Sequence, residues 1–204
     1  MRVIPFDQTF IDDLMVLGNH LESSARVLHD LLREPDRLAW GMTELQTVDE
    51  AAGRDAHALL NRLTTSFVTP FDGEDIHKLT NGLGKTVDLV YGTARRLRTF
   101  KVVDRSDHAV GLAELIVECA DALLIALQQL RKPSDISPTL LRSVKILEED
   151  GDRRHHAAVA SLFDPPRPPL DVIKWKEIYD RLEDTIDECW RSALVIESVA
   201  VKYR

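Results

Sequence analysis

IHKLTNGLGKTVDLVYGTARRL (76–97) and WKEIYDRLEDTIDECWRSALVI (175–196) are the two stretches that decide the fold. In the first, Ile76, Leu79, Leu83, Val87, Val90, Ala94 and Leu97 recur at steps of three and four, the spacing of one face of a helix. In the second, Trp175, Ile178, Leu182, Ile186, Cys189, Ala193 and Ile196 do the same. Each member of one stripe differs from its partner by 99 in number, from 76 and 175 through to 97 and 196. The same offset relates Val48 to Leu147, His57 to His156, Ala58 to Ala157 and Leu63 to Leu162. It also relates Leu17 to Ile116 and Leu31 to Leu130. Two amphipathic helices can always be aligned on their stripes. One constant offset across three successive helix pairs is harder to obtain that way, and it reads as a duplication.

Working outward, prolines at 5, 35, 70, 133, 138 and the cluster 165–169 punctuate the chain. Between them the periodicity predicts six helices, at 6–33, 36–68, 72–100, 106–131, 138–163 and 169–203. Ser137-Pro138 reads as an N-cap followed by proline at the first helical position. Arg131 and Lys132 before Pro133, and Arg95, Arg96, Arg98, Lys101 and Arg105 at the end of the third helix, read as cations on helix C-termini. The second group also suits an acidic lipid surface or a transporter loop. Asp72, Glu74 and Asp75 read as an acidic first turn, and Phe67, Pro70 and Phe71 as a turn staple. No stretch alternates with period two for long. The expected fold is therefore all-α, with six long helices forming two pseudo-repeated three-helix bundles, units 1–102 and 103–204. Lateral apolar surface on such helices suits packing of the units together, and a homodimer.

Composition narrows the function classes. The 204 residues are 44% hydrophobic and 29% charged, with net charge -8 and no basic stripe, which argues against a nucleic-acid binder. Two cysteines, Cys119 and Cys189, make neither a disulfide framework nor a zinc pattern. They fit a reducing cytoplasm, and as stripe residues they read as buried small hydrophobes. The first residues lack a signal-peptide core, and the longest apolar run, Ala122 to Leu127, is six residues, too short for a membrane span. No phosphate loop, dinucleotide fingerprint or nucleophile elbow is present, so catalysis is not expected.

The chemistry-bearing candidates are carboxylates. Glu148 and Asp152 lie four apart on the fifth helix, and Glu183 and Asp187 on the sixth. Each pair follows a stripe position by one residue, at the edge of the buried face. Like charges at that spacing repel by about 0.2–0.5 kcal/mol. If the two helices are neighbours, four oxygen donors converge, and a bound cation relieves the repulsion. The plainer reading is a solvated acidic face, since Glu149, Asp150, Asp184 and Glu188 make both helices acid-rich. Subtracting 99 gives Asp49, Gly53, Gly84 and Asp88, so the first unit keeps one acid of each pair. His156 extends the second-unit face as a further donor; a partly exposed histidine is the plainer reading. Asp152 and His155 give the spacing of a di-iron carboxylate bundle without its second motif, which argues against an oxygen-activating enzyme.

The stretches FVTPFDGEDIHKLTNGL (67–83), LEEDGDRRHH (147–156) and IKWKEIYDRLEDTIDECWRSALVIESVAVKY (173–203) resemble the PhoU-like proteins. Within that family they are similar to the shorter branch of phosphate-transport regulators that accompany Pit-type inorganic phosphate transporters. The resemblance covers nearly the whole chain and implies a single PhoU-like domain over 1–204. It implies a cytoplasmic regulator, peripheral at the inner membrane face, with a Pit-type transporter as partner. Family members carry an E(D)-x-x-x-D motif on two helices of each bundle, and some hold iron or zinc clusters there. Residue by residue, the motif matches Glu148 with Asp152 and Glu183 with Asp187. In the first bundle only Asp49 and Asp88 match; Gly53, Gly84 and Lys85 depart, and a lysine there disfavours a cation. Carboxylate sites also accept manganese or magnesium. The competing readings are a metal-free helical interaction scaffold and, last, a carboxylate-bridged metalloenzyme.

Overall fold

The computed structural model describes residues 8–203. Six α-helices account for the architecture: α1 (Thr9–Arg33), α2 (Leu38–Thr65), α3 (Gly73–Thr99), α4 (Asp107–Gln129), α5 (Pro138–Ala160) and α6 (Pro169–Lys202). Short 3-10 turns at Pro35–Arg37 and Pro133–Asp135 introduce α2 and α5, and no strand occurs among the described residues. The all-α expectation therefore holds. Phe6 and Asp7, the first two residues of the first predicted helix, lie outside the described residues.

All fourteen residues of the two diagnostic stripes are buried. Each fully buried Leu, Ile or Val stabilises the fold by about 1.5–3 kcal/mol relative to exposure, which is what commits these faces to the interior. Helices α1, α2 and α3 pack on one another, and α4, α5 and α6 do the same. The two sets join through α1 against α4 and α3 against α6. The centre is thus a square of α1, α3, α6 and α4, flanked by α2 on one side and α5 on the other. The burial pattern along residues 51–60 of α2 repeats without change along 150–159 of α5.

The joined pairs run antiparallel. Arg26 of α1 bonds Asp121 of α4 at 2.8 Å, while Arg131, just past α4, reaches Asp12 and Gln8 at the start of α1. Arg96 of α3 meets Glu177 of α6 at 2.6 Å, and Lys202 at the end of α6 meets Asp75 at the start of α3 at 2.7 Å.

Local chemistry explains where the boundaries differ from expectation. Helix α2 ends at Thr65, before residue 68. The hydroxyls of Thr64, Thr65 and Ser66 turn back onto the carbonyls of Asn61 and Arg62, and the chain extends toward Pro70. Helix α5 ends at Ala160, and residues 161–166 form turns leading into the proline cluster. Pro138 does open α5, but the Ser137 side chain makes no cap; its amide instead donates to Gln129 Oε1 at 3.0 Å. Arg131 serves the α1 N-terminus, not the end of α4. Of the expected staple, Phe71 is buried and Phe67 is fully exposed, so no pair forms. Asp72 does cap α3, accepting from the Glu74 amide at 3.0 Å.

Candidate metal centre

Gly151 brings the second-unit acids together. A Cβ at this position would stand 3.0 Å from Ile186 Cδ1, so α5 and α6 approach as closely here as a bare Cα allows. The next residue on each helix is an acid, Asp152 on α5 and Asp187 on α6. Glu183 lies one turn before Asp187. One carboxylate oxygen from each of Asp152, Glu183 and Asp187 falls within 4.8 Å of the others. The edge position of these acids, one residue past the buried stripe, leaves Asp152 exposed and Glu183 and Asp187 half-buried.

Burial, then the neighbouring Asp187, Asp184 and Asp152 charges, raise the Glu183 carboxyl above its usual range against the opposing pull of His155. Burial likewise raises Asp187, with Glu148, Asp152 and Asp184 adding to it and Arg191 opposing. Proton affinity gained from crowded negative charge is the signature of a site that a cation can relieve. The donor set is three hard oxygens, suited to a divalent ion.

Glu148 is within electrostatic reach of Asp187 but stands outside the close trio. Its Oε2 accepts from Lys145 Nζ at 2.6 Å. Arg191 plays the same part for Asp187, donating to Oδ2 at 2.9 Å. Both cations come from the acid's own helix, at spacings of three and four residues. That spacing is legible in the sequence and is the signal through which they could have been found. His156 turns its Nδ1 to the backbone carbonyl of Asp152 at 2.7 Å, and His155 pairs with Asp180 at 2.9 Å. Neither imidazole joins the trio.

The counterpart between α2 and α3 is reduced. Burial and the facing Asp88 raise the Asp49 carboxyl, with Glu50 adding and Arg95 opposing. So Asp49 and Asp88 do face one another. A Cβ at Gly53 would meet nothing within 4 Å, and one at Gly84 only Ala56 at 3.9 Å. Lys85 spans α3 to α6 and donates to Glu188 Oε2 at 2.6 Å. The buried Glu188 was absent from the sequence-based candidates.

Cys119 and Cys189 are both buried and free. Their side chains meet between α4 and α6; the hydrogen bond with Cys119, with burial, pushes the Cys189 thiol well up, which keeps it protonated and unreactive. Among the described residues no helix is long and apolar enough to cross a membrane.

No family model matches the sequence. Two relatives do. The chain is 28% identical over 160 residues, 78% of each chain, to the Bacillus subtilis protein named "UPF0111 protein YkaA". It is 25% identical over 212 aligned positions, 97% of each chain, to a Rhizobium meliloti protein named "Putative pit accessory protein". Among solved structures, a PhoU-like protein from Shewanella oneidensis superposes with a TM-score of 0.74 at 14% identity, covering 95% of this chain and 99% of that one. A second PhoU-like protein from the same organism gives 0.73 at 15% identity, with the same coverage.

Proposed function

The chain is PhoU-like, and from that premise we propose that it is an accessory regulator of inorganic phosphate transport. It acts by protein–protein contact with a Pit-type transporter at the cytoplasmic membrane face. Likeness along 97% of its length to a protein named for a pit accessory role is the observation that carries this reading. The chemistry of the molecule supports a non-catalytic role: its acids sit on an open helical face, and its thiols are sealed in the core. Two copies of one three-helix unit, 1–102 and 103–204, make up the chain.

We further propose that Asp152, Glu183 and Asp187, with Glu148 beside them, hold a divalent metal ion, iron or zinc foremost. When bound, the ion neutralises the crowded acids and ties α5 to α6, a structural or sensory task. His156 is a peripheral donor at most, and Asp49 with Asp88 make a weaker cation site. One observation favours the alternative of a metal-free scaffold: Lys145 and Arg191 already neutralise Glu148 and Asp187.

Two measurements test these readings. Metal analysis of purified protein should find bound metal that is lost in Glu183→Ala with Asp187→Ala; equal, negligible metal in both leaves the scaffold. Co-purification with a membrane phosphate transporter, and altered phosphate uptake on deletion, are expected; unchanged uptake removes the transport role.

A further inference from the structure

Six serine and threonine hydroxyls are fully buried among the described residues: Ser24, Thr80, Thr86, Thr93, Thr185 and Ser192. Five donate to a carbonyl one turn back on their own helix, at 2.7–2.9 Å. Ser192 does not. Its Oγ has no hydrogen-bond partner, although the residue is 2% exposed. The contrast is sharpest within the repeat. Thr93, 99 positions earlier, donates to the Leu89 carbonyl at 2.9 Å. A buried hydroxyl left unpaired costs free energy, and native structures rarely keep one without a reason.

Ser192 lines a groove of about 300 Å³ between α3 and α6. Gly82 forms the opposite wall, and a Cβ there would come within 2.7 Å of Ser192 Oγ, so any larger residue would block the hydroxyl. Around the groove stand Lys78, Asn81 and Lys85 of α3 and Arg191 and Glu188 of α6. Glu188 is the single acid among the lining residues. Its Oε2 accepts from both Lys85, at 2.6 Å, and Arg191, at 3.0 Å. One carboxylate between two cations leaves a positive charge unmatched, and Lys78 adds another from the rim, where Glu74 holds it at 2.7 Å. The groove thus offers ammonium, guanidinium, amide and hydroxyl donors around a space the size of a small ion.

We infer that this α3–α6 groove binds a small tetrahedral oxyanion, with Ser192 Oγ at its floor and Lys85, Arg191 and Lys78 supplying charge. Charge-assisted bonds from Lys and Arg are the strong ones for such a ligand, and the hydroxyl supplies direction. The shared chemistry is a phosphate-type group, either free in solution or on an anionic lipid. The site is separate from the acid trio, although Arg191 touches both, so the test uses protein stripped of metal by chelation.

Calorimetric titration with inorganic phosphate is expected to show saturable binding to the wild-type chain. Ser192→Ala should weaken it about fivefold and Lys85→Gln about tenfold, in keeping with loss of one neutral and one charged hydrogen bond. Thr93→Val, the partner position in the other unit, should leave it unchanged. Ser192→Ala should melt no lower than wild type, because its hydroxyl makes no bond in the fold; a merely structural serine would behave oppositely. Ser192-dependent binding to phosphatidylcholine vesicles containing phosphatidic acid, without response to free phosphate, supports the same site with a lipid headgroup as source. Absence of saturable binding in both arms, or Ser192→Ala binding as tightly as wild type, overturns the inference.

Discussion

Between α5 and α6 three carboxylates meet; between α2 and α3, at the matching places of the repeat, two carboxylates stand beside two glycines. The scaffolds are alike. The burial pattern of α2 over 51–60 is that of α5 over 150–159, and both faces carry an acid whose proton affinity is raised by burial and a facing acid. The difference is confined to a few side chains. Gly151 in the second unit is Ala52 in the first, so the closest helix approach occurs only where the full acid set is present. Crowding acids has a cost that a cation relieves, and the first unit escapes the cost by lacking half the acids.

The comparison breaks most severely at the helix contact. Gly151→Leu inserts a side chain where even a Cβ would stand 3.0 Å from Ile186. It should destabilise by about 1–3 kcal/mol and abolish metal retention by separating Asp152 from Asp187, read by thermal melting and metal analysis. Ala52→Gly should cost only about 1 kcal/mol, the helix-propensity difference, and leave metal content alone. Gly53→Asp with Gly84→Glu tests the comparison in the other direction. The space at both positions is open, so the first unit should gain a second metal-binding event per chain, read by titration. An unchanged stoichiometry would show that the helix spacing, not the missing acids, limits that face.

Proton linkage gives a smaller effect. Glu183 and Asp187 have raised folded-state affinities for protons. Their stabilising contribution is therefore complete below the unfolded carboxyl range of about 4, and is lost as pH rises through their higher folded values. Glu183→Gln with Asp187→Asn should flatten that slope in metal-free protein and stabilise it by about 0.2–0.5 kcal/mol at neutral pH, the size of one like-charge pair. Asp49→Asn should do so less, since only one raised carboxyl is involved. The smallest effect is expected from Lys145→Gln. Freeing Glu148 from its own-helix cation should tighten metal binding about twofold in competition titrations, as loss of an exposed ion pair of a few tenths of a kcal/mol implies.

Much of this was legible beforehand. Stripes at steps of three and four fixed the helices because burial of those residues dominates the energetics, and all fourteen stripe positions are buried. The acids could be assigned to one face for the same reason. What the spacing could not convey was distance between helices. That depends on Gly151 against Ile186, a contact visible only once α5 and α6 are packed. Side-chain direction was equally hidden. Lys85 reads as a neighbour of Gly84 in sequence, but its ammonium crosses to Glu188. His156 reads as a continuation of the acid row, but its ring folds onto its own helix backbone. Terminal residues were misjudged where short hydroxyl side chains compete for the backbone, as at Thr64 to Ser66.

The antiparallel joining of the two units has a consequence for how the chain can be divided. Stripe residues of α3 are covered by α6, and those of α1 by α4, so neither polypeptide half encloses its interior alone. Fragments separated within residues 102–106 should therefore be poorly folded apart and regain helical order on mixing, through complementation. The ancestral single copy, by the same reasoning, would have needed a twin, and gene fusion would have replaced association between molecules with association along one chain.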